Sequence, residues 1–455
     1  MASRPLKRVL SQSDNIAAIA TAPGRGGIGV VRVSGHGLVA MATTLTGRQL
    51  TPRLATYTNF LAADGTTLDQ GIALYFSSPN SFTGEEVLEL QGHGGPAVLQ
   101  SVLQRCLELG ARLAQPGEFT QRAFLNDKID LAQAESVADL IDATTEQAAR
   151  SAMRSLQGEF SAAIHGAVAL LIDLRMLVEA TLDFPEEEIE ATDRQLCASQ
   201  LIALQQEVAR IAGLAKQGSI LREGAQVVLV GAPNAGKSSL LNRLAGEEVA
   251  LVSDIPGTTR DSIRQALQVR GVPLHLIDTA GLRETADEIE QMGIARTQLA
   301  LTRADVVLVM MDESQQRPEP EEKAILAQLP VKIPRLYLHN KIDLSGHAPG
   351  SELNNSELHL YISAKTGAGM ELLQEKLLET IGWHQETGVF MARARHLEAL
   401  SCAKQHLDKS VQELDRPELF AEELRQAQEA LSRITGEFTA DDLLGEIFSR
   451  FCIGK

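Results

Sequence analysis

Apolar positions recur along the chain with two different periods, and the change of period marks the predicted elements. In the first part, short runs alternate apolar and polar residues between glycines and prolines, a pattern typical of β-strands. Strands are predicted at 71–76 and 86–91, with one helix near 97–109. Residues 1–127 are therefore predicted to form an α+β domain.

Helical periodicity dominates two later stretches that are rich in alanine and leucine. Helices are predicted at 131–145, 159–180, 195–216, 396–414 and 419–434, with the acidic run 185–190 as a solvated loop or helix start. Some seventy residues of helix rarely form a core alone. We therefore expect 384–455 to pack against 128–222 as one helical domain built from two chain segments.

The segment between these helical stretches has a third pattern, in which short apolar runs end in glycine-rich or polar motifs. The runs predict buried strands at 227–230, 274–277, 306–310, 336–338 and 358–362. Strands that alternate with connecting helices form α/β domains with a mostly parallel sheet. Residues 223–383 are therefore predicted to be an α/β domain inserted into the helical domain.

The first motif of this segment, residues 231–238, reads GAPNAGKS and lies between a predicted strand and a predicted helix. This is the context of a P-loop, in which backbone N–H groups and a helix N-terminus surround phosphate oxygens. Lys237 is expected to reach the β- and γ-phosphates, and the Ser238 hydroxyl is expected to bind Mg²⁺. The motif predicts a nucleoside triphosphate site.

Three further motifs follow in the order and spacing of a Ras-like P-loop GTPase domain. The sequence DTAG (278–281) offers a carboxylate near the Mg²⁺ and the Gly281 N–H for the γ-phosphate. In NKID (340–343), Asp343 can accept both N1–H and the exocyclic amine of guanine, which adenine does not match. Ser363-Ala-Lys365 is expected to support the base from the other side. The predicted nucleotide is GTP.

A fifth segment, SDIPGTTRD (253–261), is predicted to be a switch loop in which Thr259 binds Mg²⁺ only when a γ-phosphate is present. The predicted GTP contacts are Asn234, Ala235, Gly236, Lys237, Ser238, Ser239, Ser253, Asp254, Ile255, Pro256, Gly257, Thr258, Thr259, Asp278, Thr279, Ala280, Gly281, Asn340, Lys341, Ile342, Asp343, Ser363, Ala364 and Lys365.

One position departs from Ras-like proteins, where a glutamine after the DxxG motif orients the attacking water. Leu282 occupies that position here and cannot orient water. Together with Asn234 in the P-loop, this resembles the MnmE (TrmE), Era and EngA group of GTPases. The resemblance implies a K⁺ bound by Asn234, Ser253, Ile255 and Thr258 in place of an arginine finger. From the residues alone, the alternative for Asn234 is a residue that stabilises a turn.

The resemblance to the MnmE (TrmE) family extends over the whole chain. It is carried by PGRGGIG (23–29), NSFTGE (80–85), QGHGGP (91–96), PGEFT (116–120) and the C-terminal FCIGK (451–455). The family implies a homodimer with a folate site in the N-terminal domains, near Cys452. Arg32, Glu89, Lys128 and Lys455 occupy the matching positions. Taken alone, the glycine-rich loops could be tight turns and Cys452 a neutral residue.

The same resemblance implies a reaction and a partner. GTP hydrolysis would involve Lys237, Thr259, Gly281 and Glu290, with Glu290 orienting water through another water. The alternative for Glu290 is a solvated charge on a helix face. Proteins of this family act with an FAD-bearing MnmG flavoprotein to place an aminomethyl-type group, with a tetrahydrofolate one-carbon unit, at C5 of the tRNA wobble uridine (position 34).

Composition and charge agree with these expectations. The 455 residues allow about three domains, and 44% hydrophobic with 22% charged residues is typical of a globular protein. A net charge of −17 argues against a broad basic RNA-binding face, so we expect the partner to supply much of the phosphate contact. Four scattered cysteines and the lack of an export signal predict a cytoplasmic protein without a membrane segment.

Two other functions remain open from the sequence. A ribosome-assembly GTPase of the Era or EngA type would share the P-loop asparagine and the apolar residue after DxxG, but it usually carries an RNA-binding module that is not evident here. A GTP switch that only binds partners and hydrolyses slowly would share all the nucleotide motifs. Wobble-position nucleosides and the cation dependence of hydrolysis distinguish these functions.

Overall fold

The structure is a computed structural model. It describes residues 14–183, 191–247, 264–278, 304–314, 333–355, 357–384 and 388–437, together with 386, 445, 447–449, 451 and 454. The chain divides into two compact units. Unit 1 comprises residues 1–138, 155–204 and 405–455, and unit 2 comprises residues 139–154 and 205–404. The four domain boundaries expected from the sequence remain a prediction.

The β-strands are β1 (Ile16–Ile19), β2 (Gly26–Gly35), β3 (Thr56–Leu61), β4 (Thr67–Phe76), β5 (Glu86–Gly94), β6 (Arg112–Leu113), β7 (Ala225–Gly231), β8 (Arg264–Val269), β9 (Val272–Asp278), β10 (Val306–Asp312), β11 (Arg335–Asn340), β12 (Gly350–Asn354) and β13 (Glu357–Tyr361). The helices are α1 (Leu38–Thr46), α2 (Pro96–Glu108), α3 (Glu118–Leu125), α4 (Leu131–Asp142), α5 (Glu146–Leu156), α6 (Glu159–Asp183), α7 (Ala191–Glu223), α8 (Lys237–Glu247), α9 (Ile342–Ser345), α10 (Met370–Thr380), α11 (Ala394–Ser410) and α12 (Pro417–Thr435).

Unit 1 begins with a six-stranded sheet in the order β3-β4-β5-β2-β1-β6. All neighbours are antiparallel except β1 and β6. Because side chains alternate between the two faces of a strand, Val31, Phe60, Ala73 and Leu88 lie together on one face with residues of α1 and α2 as a buried core. Charged residues on the opposite face of β2 and β5 are thereby placed for binding.

The N-terminal region is α+β, as expected, but it contains more helix than the sequence pattern indicated. The helix predicted at 97–109 is α2, and two shorter helices, α1 and α3, flank it. Both begin after a glycine in the left-handed conformation, Gly37 and Gly117. With nine and eight residues, they are too short to give a clear helical period.

The helical part of unit 1 confirms that two distant chain segments form one domain. Helix α12, from the C-terminal segment, packs against α6, and Arg175 Nη1 on α6 donates to Gln428 Oε1 on α12 at 2.6 Å. Farther along, Ile447, Phe448 and Phe451 pack with Leu131 at the start of α4.

Two of the predicted helices end earlier than expected, and the helix predicted at 195–216 is longer and spans Ala191–Glu223 (α7). The helix expected at 131–145 ends at Asp142, and α5 begins at Glu146. The reason is a cap: Thr145 Oγ1 accepts from the Ala148 N–H at 3.1 Å, which satisfies a free donor at the start of a new helix. The helix predicted at 396–414 is α11, which ends at Ser410, and the residues that follow, Val411–Glu413, form a 3₁₀ turn.

One helix among the described residues is long and apolar enough to cross a membrane, by length and composition alone. It is the Glu159–Glu179 part of α6. Core helices of globular proteins pass the same test, and α6 has the packing partner α12. The finding is weak evidence for a membrane segment.

Unit 2 contains a seven-stranded sheet in the order β12-β13-β11-β10-β7-β9-β8. The five inner strands are parallel, and the edge strands β8 and β12 are antiparallel to their neighbours. The inner strands correspond to the five predicted apolar runs, and Val227, Val228 and Leu229 on β7 are fully buried. In such sheets ligands bind outside the carboxyl ends of the parallel strands, which is where the nucleotide motifs lie.

Candidate functional site

The loop that follows β7 connects this inner strand of the unit 2 sheet, which lies between β10 and β9, to the N-terminus of α8. Along it, Gly231 and Gly236 adopt positive φ angles of 155° and 102°, and Asn234 is left-handed with φ 64°. A Cβ on Gly236 would lie 2.2 Å from Asn340 Nδ2, so only glycine fits there. The backbone therefore has the tight, glycine-dependent path that lets N–H groups converge on phosphate oxygens.

Lys237 begins α8, and its ammonium group lies inside the loop. Nζ donates to Gly231 O at 2.8 Å and to Ala232 O at 2.7 Å, and the residue is only 7% exposed. Ser238 follows on the first turn with an exposed side chain. A positive charge and a hydroxyl at a helix N-terminus form an arrangement suited to a triphosphate and its Mg²⁺.

Asn340, at the end of β11, joins the phosphate loop to the last predicted motif. Its Nδ2 donates to Ala235 O at 2.8 Å, and its Oδ1 accepts from the Ala364 N–H at 2.9 Å. The side chain is 3% exposed, so both ends of a buried amide are satisfied. Asparagine therefore has a structural role here: it holds two loops at a fixed distance.

Asp343, the predicted base-reading residue, lies on the short helix α9. Its Oδ1 accepts from Ser363 Oγ at 2.6 Å. Ser363 is fully buried, and its Oγ in turn accepts from the Thr366 N–H at 3.1 Å. Because the backbone N–H uses a lone pair of the hydroxyl, the hydroxyl proton points to Asp343. This network fixes the position of the carboxylate that guanine recognition requires.

Two charged residues that the sequence reading did not include support these loops. Asp312, at the end of β10, pairs with Lys341 Nζ at 2.5 Å. Burial alone would raise the pKa of Asp312, but hydrogen bonds from Lys341 and Ser314 lower it below its usual range. Arg243 on α8 donates through Nε to Ala364 O at 3.2 Å. Asp312 could have been noticed, because it ends a parallel strand next to the NKID motif; Arg243 has no comparable signal.

Several predicted nucleotide contacts lie outside the described residues: Ser253, Asp254, Ile255, Pro256, Gly257, Thr258, Thr259, Thr279, Ala280 and Gly281. Leu282 and Glu290, the positions that concern the orientation of the attacking water, lie outside them as well. Asp278 ends β9 beside β7, in register with Leu229. The structure thus brings together the phosphate loop and the base-recognition motifs, and the switch contacts stay predictions.

A second candidate site lies on the open face of the unit 1 sheet. Arg32 on β2 and Glu89 on β5 are direct cross-strand partners, and Arg32 Nε lies 2.9 Å from Glu89 Oε1. Both line a pocket of about 310 Å³ together with Lys128. Three of the four residues expected at a folate site are therefore brought together, although Lys128 is 96 positions from Arg32 in the chain.

The C-terminal segment reaches the same region. Arg32 Nη1 donates to Gly454 O at 3.5 Å. Gly454 has φ 95°, and a Cβ there would lie 2.5 Å from Ile19 O on β1. Lys455 and Cys452 lie outside the described residues, and Gly454 is the residue of the C-terminal motif that the structure places beside Arg32.

The pocket also contains residues that sequence reasoning missed. They are Arg53, Phe76, Asn80, Ser81, Phe82, Thr83 and Val87. Part of the signal was available, since residues 80–83 belong to the NSFTGE motif quoted for the family resemblance. Arg53 lies in no such motif, and only the fold brings it to the pocket.

The fold of unit 2 and the geometry of its loops define a P-loop GTPase of the Ras-like class. Family models match the N-terminal region (GTP-binding protein TrmE N-terminus, residues 15–128) and most of the remainder (MnmE helical domain, residues 131–452). The chain belongs to the MnmE (TrmE) family of tRNA modification GTPases.

Similar proteins with the name tRNA modification GTPase MnmE include those of Nitrosospira multiformis, 60% identical over 98% of this chain and 100% of the relative, and of Nitrosomonas europaea, 58% identical over the same shares. Among solved structures, Aquifex aeolicus Era bound to GDP·AlF₄⁻ is 26% identical, with a TM-score of 0.28 over 40% of this chain and 66% of Era.

Proposed function

We propose that this protein hydrolyses GTP in order to drive the modification of the wobble uridine at C5 in certain tRNAs, together with an FAD-containing MnmG-like partner. The observation that carries the GTP part is the link from Asp343 through Ser363 and Asn340 to the P-loop. The modification part rests on family membership, which covers 98% of the chain.

In this proposal the residues of unit 2 bind and position GTP. Lys237 and the N-terminus of α8 hold the phosphates, Ser238 and Thr259 bind Mg²⁺, and Asp343 selects guanine. Gly281 would contact the γ-phosphate through its N–H, and Glu290 would orient the attacking water through a second water. Bound Mg²⁺ supplies charge neutralisation at the phosphates.

A K⁺ ion would neutralise further charge on the phosphates, bound by Asn234, Ser253, Ile255 and Thr258. Asn234 is exposed and left-handed, so its side chain is accessible to a cation. The left-handed backbone alone also favours asparagine, and the experiment must separate the two roles. Asn234→Gly does so, because glycine keeps the backbone conformation and removes the amide.

The test compares GTP turnover in K⁺ and Na⁺ at equal ionic strength, for the natural protein and for Asn234→Gly. We expect faster turnover in K⁺, loss of that advantage in the variant, and similar GTP affinity for both proteins. An Asn242→Ala variant, altered at an exposed asparagine of α8 that is not a predicted GTP contact, is the control. Equal turnover in both salts by the natural protein would contradict the K⁺ proposal and leave the proposal of GTP binding unaffected.

The pocket of unit 1 is proposed to bind a tetrahydrofolate derivative, which supplies the one-carbon unit when bound. Glu89 suits the N3–H and 2-amino donors of a pterin, and cationic side chains suit carboxylates. Arg32 and Lys128 line the pocket, Gly454 lies beside Arg32, and Lys455 and Cys452 flank Gly454 in the sequence. A homodimer would complete the site from two N-terminal domains.

The proposed setting is cytoplasmic, and the net charge of −17 leaves much of the tRNA phosphate contact to the partner. The decisive experiment is mass spectrometry of wobble nucleosides from cells that lack this protein, rescued by the natural chain, by Cys452→Ser or by the control Cys402→Ser. We expect the C5-substituted uridines to disappear on deletion and to return with the natural chain and the control.

The Cys452→Ser rescue decides whether the thiol takes part, since the control changes a cysteine on α11. An unchanged nucleoside profile on deletion would contradict the modification function. It would favour a ribosome-assembly GTPase or a partner-binding GTP switch, both of which keep the nucleotide site.

A further inference from the structure

Two cationic side chains line the unit 1 pocket without a carboxylate partner in the part of the chain that the structure describes. Arg53 Nη2 donates to Asn80 O at 2.9 Å, and Lys128 Nζ donates to Pro79 O at 3.1 Å. Both residues are exposed. Arg32, in the same pocket, is instead neutralised by Glu89 at 2.9 Å.

The two exposed cations donate to consecutive carbonyls of one loop and line the same pocket. Like charges at short distance repel, and the repulsion is weakened by water but not abolished. A ligand with negative groups between Arg53 and Lys128 would offset it. This arrangement therefore points to an anionic part of the ligand at the edge of the pocket.

The residues at this edge are more exposed to solvent than Arg32 and Glu89 in the rest of the pocket. The side chains of Arg32 and Glu89 are 26% and 17% exposed, whereas Arg53 and Lys128 are exposed residues and Phe82 is 41% exposed. Glu89 is the only carboxylate among the lining residues and lies with Arg32 in the less exposed part. The N–H donors of a ligand ring would bind Glu89, and carboxylates of the ligand would bind the cations at the edge.

We propose that Arg53, together with Lys128, binds the carboxylates of a glutamate tail, so that the pocket prefers polyglutamylated folates. This rests on the proposed folate function of the pocket and adds Arg53 to it as a residue that determines specificity. The volume of about 310 Å³ is at the lower end for ligands of this size. The rings would fill it, and the tail would lie along the exposed edge.

Each exposed ion pair contributes little, and two or more together would favour a longer tail about three- to tenfold at low ionic strength. The test is calorimetric titration of the full-length protein with the mono- and triglutamate forms of 5-formyltetrahydrofolate and with tetrahydropteroate, which has no glutamate. We expect the affinity to rise in the order pteroate, monoglutamate, triglutamate, and the increments to shrink with added salt.

Arg53→Gln should reduce the preference for the triglutamate to less than twofold and leave pteroate binding unchanged. Arg48→Gln is the matched control, because it removes an exposed arginine five positions away that does not line the pocket. It should keep the full preference. The thermal midpoint of each variant checks that the sheet is intact.

The outcomes separate this inference from the function on which it rests. If the natural protein binds all three compounds with equal affinity, or if Arg53→Gln keeps the tail preference, the inference is wrong and the folate site stands. If the natural protein binds none of them, the folate function fails, and the tail specificity fails with it.

Discussion

Replacing Asp343 by asparagine should change the preferred nucleotide from GTP to xanthosine triphosphate. Guanine presents two donors to the carboxylate, whereas xanthine presents a carbonyl at C2. Ser363 Oγ lies 2.6 Å from Asp343 Oδ1, and its proton is directed there by the Thr366 N–H. An asparagine oxygen would take the same bond, which leaves the amide nitrogen facing the base as a donor.

The loss of GTP affinity in Asp343→Asn depends on the hydrogen bonds that are removed. Each hydrogen bond between guanine and the ionised carboxylate contributes about 1.5–3 kcal/mol. Loss of both corresponds to about 3–6 kcal/mol, or roughly a 10²- to 10⁴-fold weaker affinity for GTP. The affinity for xanthosine triphosphate should rise, because the amide can donate to the new carbonyl.

The assay is competition of GTP and xanthosine triphosphate against a fluorescent GDP, for the natural protein, Asp343→Asn and Ser363→Ala. Ser363→Ala removes the support but keeps the carboxylate, so GTP should weaken by about tenfold or less and remain preferred. Retained preference for GTP in Asp343→Asn would refute the placement of the base at Asp343. Weakening of both nucleotides alike would show that the variant disturbs the loop and not the base contact.

Two further substitutions and one chemical modification test separate parts of the structure. Gly236→Ala should lower GTP affinity at least about tenfold, because φ is 102° and the new Cβ would meet Asn340 Nδ2 at 2.2 Å; unchanged affinity by calorimetry would contradict the loop geometry. Burial opposes ionisation of Glu118, but hydrogen bonds from Arg112 and others lower its pKa. Glu118→Gln should therefore lower the free energy of unfolding by about 3 kcal/mol near pH 7. This loss should disappear as the pH falls below the usual carboxyl range. If denaturant titrations show the same difference between the variant and the natural protein at every pH, the reasoning is wrong. Burial raises the pKa of the Cys106 thiol to about 12, so iodoacetamide at pH 8 should not modify it before unfolding, as peptide mass mapping can check.

The nucleotide site could be predicted from the sequence because its chemistry fixes residue types at fixed positions after strands. Lys237 and Asp343 have to be a cation and a carboxylate, and each follows an apolar run that forms a parallel strand. Parallel strands bring their carboxyl ends to one edge of the sheet, so motifs about a hundred residues apart meet there.

Contacts without a local signature could not be predicted in the same way. Arg53 lies at the pocket, where its backbone N–H donates to Tyr75 O on β4 at 2.8 Å, and nothing in the neighbouring sequence indicates this contact. The break at Thr145 was missed for another reason. The apolar period continues through it, and the decisive feature is one hydroxyl that caps the next helix.

Asn340 shows why base and phosphate recognition should not vary independently. One buried amide donates to the phosphate loop at Ala235 and accepts from Ala364, next to the Ser363 that orients Asp343. If the loop of Ser363 and Ala364 moves, the buried amide of Asn340 loses a hydrogen-bond partner that water cannot replace. An unsatisfied buried polar group of this kind costs about 1–3 kcal/mol of free energy. The Gly236 backbone, packed against the same amide, would have to follow. A nucleotide with the wrong base is therefore expected to bind its phosphates in a disturbed loop as well as to lose base contacts.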